Sequence, residues 1–418
     1  MADEWSWTSI GDVCVNFDSQ RVPVKKADRK PGPYPYYGAS GIVDYVDDFL
    51  FDGEYLLVAE DGANLLSRNT PIAFMARGRF WVNNHAHIIQ GNERADTQYL
   101  MYALEESSIG AYVTGSAQPK LSQQNLNAIP LLLPPYKEQE RIVRVLGQLD
   151  HKIELNRQVN LTLEATASAV FRSWFIDYEP VVAKVDGRPP LGMSADVAAL
   201  FPEHFSESEM GPVPKGWQVL PLSEAVEVNP RRPMAKGTVA PYLEMSNMPT
   251  EGPRPLGWYD RPFGSGMRFI NGDVLMARIT PCLEHGKTAF VDFLEEEQTG
   301  WGSTEFIVMR SKPPLTPEYS YFLARSDDVR SYAIAHMTGS SGRQRVPHDC
   351  FAHFPIVVPS EEVSTKFGDM ASVTLRTIRL NDEQSKTLAS IRDALLPKLL
   401  SGEIRVGQAE SVVEEALA

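Results

Sequence analysis

Gly115-Ser116-Ala117-Gln118-Pro119-Lys120-Leu121 is the stretch that decides the fold, because the chain contains a second version of it. The first version leads into the apolar segment Ile129–Pro134 and a long helical pattern that holds Ile153-Glu154-Leu155-Asn156. The second version consists of Gly339-Ser340-Ser341-Gly342-Arg343-Gln344-Arg345-Val346, the apolar segment Phe354–Pro359, and Ile378-Arg379-Leu380-Asn381. The two copies keep a constant offset of 225 residues (346 − 121 = 225 and 381 − 156 = 225). Because solenoid units have periods of roughly 20–50 residues, this repeat predicts two whole domains in pseudo-two-fold arrangement, each followed by a long helix.

The segments that precede these stretches share anchors rather than a continuous pattern. Trp5 and Ile10 correspond to Trp217 and Leu222, and the apolar run Gly53–Ala59 aligns with Gly272–Arg278. The tracts between the anchors do not match. Repeated anchors around unlike contents predict one scaffold that carries two different specificities.

The composition is typical of a soluble, cytoplasmic protein with two or three domains. The chain has 418 residues, of which 43% are hydrophobic and 22% are charged. No apolar run approaches the ~20 residues that a bilayer span needs, and the acidic start Met1–Trp5 does not resemble a signal peptide. The three scattered cysteines, Cys14, Cys282 and Cys350, favour a reducing compartment.

The net charge of −14 argues against a polyanionic partner when it is taken as a sum. The distribution of charge weakens this objection, because residues 229–287 carry 8 Lys and Arg against 5 Asp and Glu. A bound nucleic acid therefore requires local basic clusters or a basic partner subunit.

Short apolar runs separated by Gly, Pro, Asn and Asp predict mostly β structure before each long helix, with a short helix over Thr97–Ser107 and its counterpart from Pro317. The expected fold class is α+β. The predicted order is a β-rich domain (1–135), a long helix (136–178), a linker (179–210), a second β-rich domain (211–360), a second long helix (361–402) and a frayed acidic tail (403–418).

Heptad spacing in the two helical patterns predicts that they form an antiparallel coiled coil. The repeated positions are Ile142, Leu149, Asn156, Leu163 and Val170 in the first helix and Phe367, Thr374, Asn381, Leu388 and Leu395 in the second. Two unrelated amphipathic helices packed on their own domains are the alternative. Asn156 and Asn381 interrupt the apolar seam at equivalent places, so we expect them to fix its register by facing each other or nearby backbone.

These sequence motifs closely resemble those of the DNA-specificity (S) subunits of type I restriction–modification systems. The resemblance rests on the Gly-Ser-x-Gln stretch, on Glu138-Gln139-Glu140-Arg141-Ile142, on Phe171–Tyr178 at the end of the first helix and on Leu395–Ile404 at the end of the second. It covers essentially the whole chain. One departure is Val363–Phe367, which stands where the first copy has the Glu-Gln-Glu-Arg-Ile phrase.

The resemblance implies a non-catalytic subunit in which each β-rich target recognition domain binds one half of a bipartite double-stranded DNA site. It implies that the helices set the spacer and dock the modification subunits, two of them, which carry S-adenosylmethionine and methylate adenine. A restriction (translocase–nuclease) subunit joins the full complex. No cofactor is expected in this chain itself.

Other function classes leave weaker traces in the sequence. Leu133-Pro134-Pro135-Tyr136 has the end of an adenine-methyltransferase loop, but Leu133 cannot accept hydrogen bonds from an amine. Cys282 with His285 and Cys350 with His353 offer a zinc site as an alternative to ordinary core and loop residues. The remaining hypotheses are an enzyme in its own right, the recognition subunit of a fused type II-like restriction–methylation enzyme, and a coiled-coil scaffold that does not bind DNA.

Candidate DNA contacts are basic residues for phosphate and guanine, and amide or hydroxyl side chains for the other base edges. In the first domain they are Arg21, Lys25, Lys26, Arg29, Lys30, Tyr37 (in the Gly/Tyr-rich loop Tyr34–Ser40), Arg68, Asn83, Asn84, His85, Gln118 and Lys120. In the second domain they are Arg231, Arg232, Lys236, Arg278, Thr280, Arg343, Gln344 and Arg345.

Overall fold

The computed structural model describes residues 5–115, 117–340 and 342–417. Ser116 and Ser341 of the repeated stretches and the acidic start Met1–Glu4 lie outside the described residues. The chain divides into two compact units, one formed by Met1–Glu154 with Gln384–Ala418 and the other by Leu155–Glu383. Both units contain helices and strands, which confirms the α+β class. Among the described residues, no helix combines the length and the apolar composition that a bilayer span demands.

The first β-rich domain is built on a six-stranded sheet with the strand order β2-β7-β5-β6-β3-β4. All neighbouring strands in it are antiparallel except β3 and β6, and a separate antiparallel pair joins β1 to β8. The elements are β1 (Ser6–Ser9), α1 (Ile10–Val13), β2 (Cys14–Asn16), β3 (Tyr34–Gly38), β4 (Gly41–Val46), β5 (Phe51–Ala59), α2 (Asn64–Ser67), β6 (Ala73–Val82), β7 (Ala86–Gly91), α3 (Thr97–Glu106), α4 (Gln123–Asn127) and β8 (Pro130–Leu133).

Strand β5 contains an uninterrupted run of buried apolar residues, Leu56–Ala59. Leu56 and Val58 belong to the core shared with α3, whereas Leu57 belongs to a second core on the other face of the sheet. A strand that is covered on both faces needs apolar side chains at successive positions. Helix α3 begins where predicted, because the Asp96 side chain accepts hydrogen bonds from the backbone N–H groups of Gln98 and Tyr99. The Gly/Tyr-rich loop predicted over Tyr34–Ser40 is wrong in its conformation, since Tyr34–Gly38 is strand β3 and Tyr36 is fully buried.

The chain continues through α5 (Tyr136–Phe175), α6 (Glu179–Val185), α7 (Ala195–Ala199), β9 (Phe205–Ser208) and β10 (Gly211–Pro214). The region predicted as a linker is therefore structured. Its apolar residues Val181 and Phe201 are buried in the core of the second unit, which ties the segment to that unit.

The second β-rich domain repeats the plan with shorter strands. Its elements are β11 (Gln218–Pro221), α8 (Leu222–Ala225), β12 (Val226–Val228), β13 (Val239–Leu243), β14 (Tyr259–Pro262), β15 (Met267–Phe269), β16 (Val274–Ala277), β17 (Thr288–Phe290), β18 (Gly300–Gly302), β19 (Phe306–Ser311), α9 (Pro317–Arg325), α10 (Asp327–Ala335) and β20 (Pro355–Val358). Two sheets result, in the orders β12-β19-β16-β17 and β14-β13-β18-β15. The long strand β6 of the first domain is replaced here by the two short strands β17 and β18.

Strand register identifies equivalent residues in the two domains. Ser6 pairs with Leu133 just as Gln218 pairs with Val358, which agrees with the Trp5 and Trp217 anchors. In the central strands, Ala59 pairs with Ala86, and Ala277 pairs with Phe306. Ala59 therefore corresponds to Ala277, one residue away from the Ala59–Arg278 alignment inferred from the sequence, because the apolar run itself does not fix the register.

The second long helix is α11 (Glu361–Leu400). Within the second unit α5 and α11 run antiparallel: the Asn156 side-chain amide donates to the Asn381 carbonyl oxygen over 3.3 Å, and that of Asn160 donates to Ile378 and Asp382. Within the first unit, Ile142 and Leu149 share a core with Leu395 and Leu388. That Asn156 and Asn381 fix the register stays a prediction.

The tail predicted to be frayed is instead helix α12 (Val406–Leu417). Val406, Ala409 and Val413 recur at helical spacing and are buried in the core of the first unit. Arg141 and Glu410 add an ion pair at 3.3 Å. The acidic composition of the tail concealed this narrow apolar face.

Candidate nucleic-acid interface

Each β-rich domain carries a surface loop that is closed by backbone hydrogen bonds at the same place. In the first closed loop, Thr114–Lys120, the N–H of each end residue donates to the carbonyl oxygen of the other, at 2.8 and 2.7 Å. In the second closed loop, Thr338–Arg345, the two corresponding distances are both 2.9 Å. Further bridges join Lys120 to Asp61 and Arg345 to Ile279, so each loop is fixed to the segment that follows a central strand. Gln118 and Arg343 are exposed within these loops.

Glu60, which follows strand β5, holds the first closed loop through charged hydrogen bonds. Its carboxylate accepts from Arg21 at 2.6 Å and pairs with Lys120 at 3.1 Å. Burial raises the pKa of Glu60, but the hydrogen bonds from Arg21 and Lys120 outweigh burial, so the pKa lies below its usual value. Glu60 is therefore a stable anion at neutral pH, and it fixes two of the predicted DNA-contacting residues.

His87 extends the same network into the core. Its Nδ1 lies 2.6 Å from the Asp18 carboxylate, and its Nε2 lies 2.8 Å from the Leu121 carbonyl oxygen. The imidazole ring is therefore held between a carboxylate and a backbone carbonyl oxygen. Burial raises the pKa of Asp18, but the hydrogen bond and charge of His87, the Ile88 N–H and the charge of Arg21 together outweigh burial, so the pKa lies below its usual value.

The second domain holds its closed loop with a cation at the position that Glu60 occupies in the first domain. Arg278 follows strand β16, and its guanidinium contacts the His348 ring and the Val346 carbonyl oxygen. Arg345 on the closed loop pairs with Glu305 at 2.8 Å. Burial, followed by the nearby Arg278 charge, lowers the pKa of His348, which keeps its ring neutral and able to accept from Arg278.

A turn of the first domain lies against both the closed loop and the β3–β4 hairpin. The Asn83 N–H donates to the Tyr37 carbonyl oxygen at 3.0 Å, and the buried Asn83 side chain accepts from the His85 N–H at 2.8 Å. His85 in turn contacts Asp61 at 2.7 Å. The structure therefore brings together Tyr37, Asn83, Asn84 and His85 with the residues around Lys120.

Several predicted contacts are held by internal partners. Arg68 donates to the carbonyl oxygens of Glu105 and Ser107 at the end of α3, and Arg232 pairs with the buried Asp273 at 2.8 Å. Arg29 pairs with Asp44 and lies 4.2 Å from the Tyr36 ring centre. Thr280 is buried, and its hydroxyl accepts from the Gln344 N–H. For all of these residues, contact with DNA stays a prediction.

The remaining predicted residues are exposed and are not joined to the closed loops by the contacts above: Lys25, Lys26, Lys30, Arg231 and Lys236. The sequence did not predict four residues that hold the closed loops, namely Glu60, His87, Glu305 and His348. The one available signal was the position of Glu60 directly after a repeated apolar anchor. In the described ranges, no group of three or more His, Cys, Asp or Glu side chains is placed to hold a metal ion.

Comparison with known proteins gives a consistent result. The sequence model of the type I restriction modification DNA specificity domain matches residues 2–165. A putative type I restriction enzyme specificity subunit from Haemophilus influenzae is 36% identical over 146 residues, which cover 35% of this chain and 37% of that protein.

Two further relatives align over more of their length. The HindI specificity subunit of Haemophilus influenzae is 25% identical over 68% of this chain and 71% of its own. The MjaIX specificity subunit of Methanocaldococcus jannaschii is 24% identical over 96% of this chain and 94% of its own. The crystal structure of a type I restriction–modification S subunit from M. genitalium shares the fold, with a TM-score of 0.56 and 14% identity over 95% of this chain and 96% of that one.

Proposed function

The chain belongs to the family of type I restriction–modification specificity subunits, and we propose that each of its β-rich domains reads one half of a bipartite DNA sequence. Specificity subunits of these systems are non-catalytic. The observation that carries the proposal is the pair of closed loops, Thr114–Lys120 and Thr338–Arg345, which are held at equivalent positions by different side chains.

Different loop contents on one scaffold favour two different half-sites. The first closed loop presents Gln118, whose amide pairs with adenine, whereas the second presents Arg343, whose guanidinium pairs with guanine. The loops also differ by one residue in length. Exposed lysines such as Lys25 and Lys236 supply phosphate contacts, which orient the protein but carry little sequence information.

The long helices supply the assembly part of the proposal. Leu155 and Leu380 occupy equivalent positions on α5 and α11, and both are exposed in spite of their size. Equivalent apolar side chains on two helices suit two copies of one partner, the modification subunit. That subunit holds S-adenosylmethionine and methylates adenine, a restriction subunit completes the complex, and the helices set the spacer. Cytoplasmic location is part of this proposal.

Methylome sequencing tests the function directly. A host that expresses this chain with its modification subunit is compared with a host that lacks the chain. We expect an adenine-methylated motif with two short parts and a fixed gap, present only with the chain. Methylation that is unchanged by removing the chain, while the modification subunit is active, overturns the proposal and favours a scaffold.

Variants of the closed loops sharpen the test. Gln118→Ala and Arg343→Ala each remove one exposed side chain, and each is expected to relax base preference in a different half of the same motif. If both variants relax the same half, or neither alters either half, the assignment of one domain to one half-site is wrong.

A further inference from the structure

The β3–β4 hairpin of the first domain ends on an open strand. In the sheet order β2-β7-β5-β6-β3-β4, strand β4 is outermost. The ladder pairs Tyr36 with Asp44 and Tyr37 with Ile42, so Val43 is the additional residue of a β-bulge. Bulges turn side chains out of the regular alternation and are frequent beside functional sites.

Three of the side chains of β4 are exposed although they are apolar. Ile42, Val43 and Tyr45 are 48%, 55% and 52% exposed. Open edge strands are normally protected from association by charged residues or proline, and this strand has apolar side chains on either side of Asp44. Three exposed large apolar side chains within four residues of an edge strand favour a binding surface.

The hairpin is continuous with the candidate interface. Gly38, at its turn, packs between Val43 and Asn83, and a Cβ atom at Gly38 would approach the Val43 side chain to 2.9 Å. The Asn83 turn connects onward through His85 and Asp61 to the first closed loop. The exposed side chains of Asn84 and His85 therefore lie in the turn that contacts the apolar tip of the hairpin.

A basic segment borders the hairpin on its other side. The Asp47 N–H donates to the Lys30 carbonyl oxygen at 3.0 Å, and the Tyr36 hydroxyl accepts from the Val24 N–H at 3.0 Å. Lys25, Lys26 and Lys30 are exposed along this segment. The apolar side chains of the hairpin tip would contact methyl groups, and the exposed lysines beside it would contact phosphates. The major groove at an A·T pair presents both, because the thymine methyl group lies there between the two phosphate backbones.

We propose that Ile42 and Val43 contact the C5-methyl group of a thymine in the major groove, so that the half-site of the first domain contains at least one A·T pair. The inference rests on the proposed function. A two-stranded ribbon fits the major groove, and methyl contact distinguishes thymine from the other bases there. The neighbouring lysines hold the ribbon by contacting phosphates.

Replacement of thymine by deoxyuridine tests the inference, because it removes the methyl group and keeps base pairing. The full chain, in complex with its modification subunit, is titrated with duplexes of the methylome-defined site, with deoxyuridine at one position of the half-site at a time. We expect one replacement to weaken binding by the wild-type complex by roughly three- to tenfold, the effect of losing about one buried methyl. In Val43→Thr, which replaces one of the two γ-methyl groups of Val43 by a hydroxyl, the same replacement has a smaller effect than in the wild type.

Val15→Thr is the matched control, because Val15 lies on β2 at the opposite edge of the same sheet and is 47% exposed. This variant retains the full response to deoxyuridine. The inference is overturned if no replacement affects the wild type, or if Val43→Thr responds as fully as the wild type. It is also overturned if Val43→Thr reduces co-purification of the modification subunit and leaves the response intact, because the strand then binds protein. A wild-type chain that directs no methylated motif defeats the proposed function itself, and this inference with it.

Discussion

Glu60 and Arg278 occupy the same position in the two β-rich domains and carry opposite charges. The Leu121 N–H donates to the Glu60 carbonyl oxygen at 2.8 Å, and the Val346 N–H donates to that of Arg278 at 2.8 Å. The backbone is thus conserved where the side chains are exchanged. An anion fixes the first closed loop, and a cation lies at the base of the second, so side chains of opposite charge support the two loops.

Replacing Glu60 by Gln is expected to destabilise the first unit by about 1–3 kcal/mol, because buried hydrogen bonds to a charged group are lost. Arg21 and Lys120 lose their shared anion, and the first closed loop becomes mobile. Urea unfolding measures the stability, and methylome sequencing measures the expected loss of preference in one half-site. Glu54→Gln is the control, because its ion pair with Arg77 is largely exposed and contributes about 0–1 kcal/mol. Equal effects of the two substitutions would contradict the assignment.

The sequence was sufficient for the repeat, the class and the helices, and insufficient for the site. The heptad spacing predicts α5 and α11 because the spacing of apolar residues is a local property of the sequence. The ion network around Glu60 joins residues from four separate segments, and their proximity depends on strand order, which no local pattern contains. Helix α12 was not predicted because most of its residues are polar. Only three residues, Val406, Ala409 and Val413, are buried, and they suffice to hold this short helix.

Acid is expected to destabilise the first unit through Asp18 and Glu60. The pKa of each group is depressed in the folded state below the usual values of 3.8 and 4.5. Their stabilising contribution is therefore complete above about pH 4.5 and is lost as the pH falls through the folded-state values. Urea unfolding between pH 3 and pH 7 measures the slope. The slope should decrease in Asp18→Asn; a slope equal to that of the wild type would show that other carboxyl groups cause the acid loss.

Asp292 of the second unit is expected to behave in the opposite sense. Burial raises its pKa to about 6, although Arg254 and Arg379 oppose the shift. A raised carboxyl pKa means that the folded state binds the proton more tightly, so this contribution to stability is lost as the pH rises from about 4 to about 6. Asp292→Asn removes the titration. We expect the variant to gain stability relative to the wild type as the pH rises from about 4 to about 7, measured by urea unfolding, and a constant difference over that range would refute the raised pKa.

Gln139, in the Glu-Gln-Glu-Arg-Ile motif, is expected to contribute substantially to the free energy of unfolding. It is fully buried, accepts from the Asp96 N–H at 2.9 Å and donates to the carbonyl oxygens of Arg94 and Pro134. Gln139→Leu leaves these backbone groups unsatisfied and should cost about 2–4 kcal/mol in urea unfolding. Ser364 stands at the equivalent position of α11 with a buried hydroxyl that has no hydrogen-bond partner among the described residues. Ser364→Ala should therefore be neutral or slightly stabilising. A loss of stability as large as that of Gln139→Leu would show that the Ser364 side chain of the Val363–Phe367 segment does stabilise the fold as Gln139 does.

The equivalent leucines Leu155 and Leu380 predict the stoichiometry of the assembly. Leu155→Ala and Leu380→Ala each remove one exposed apolar side chain, so folding should change by less than about 0.5 kcal/mol. Native mass spectrometry with the modification subunit should show two partner copies on the wild type, one on either single variant and none on the double variant. Val373→Ala, which changes another exposed apolar residue of α11, should retain two copies. If each single variant loses both copies, the partners bind cooperatively rather than at independent equivalent sites; if neither loses one, the docking surface lies elsewhere on the helices.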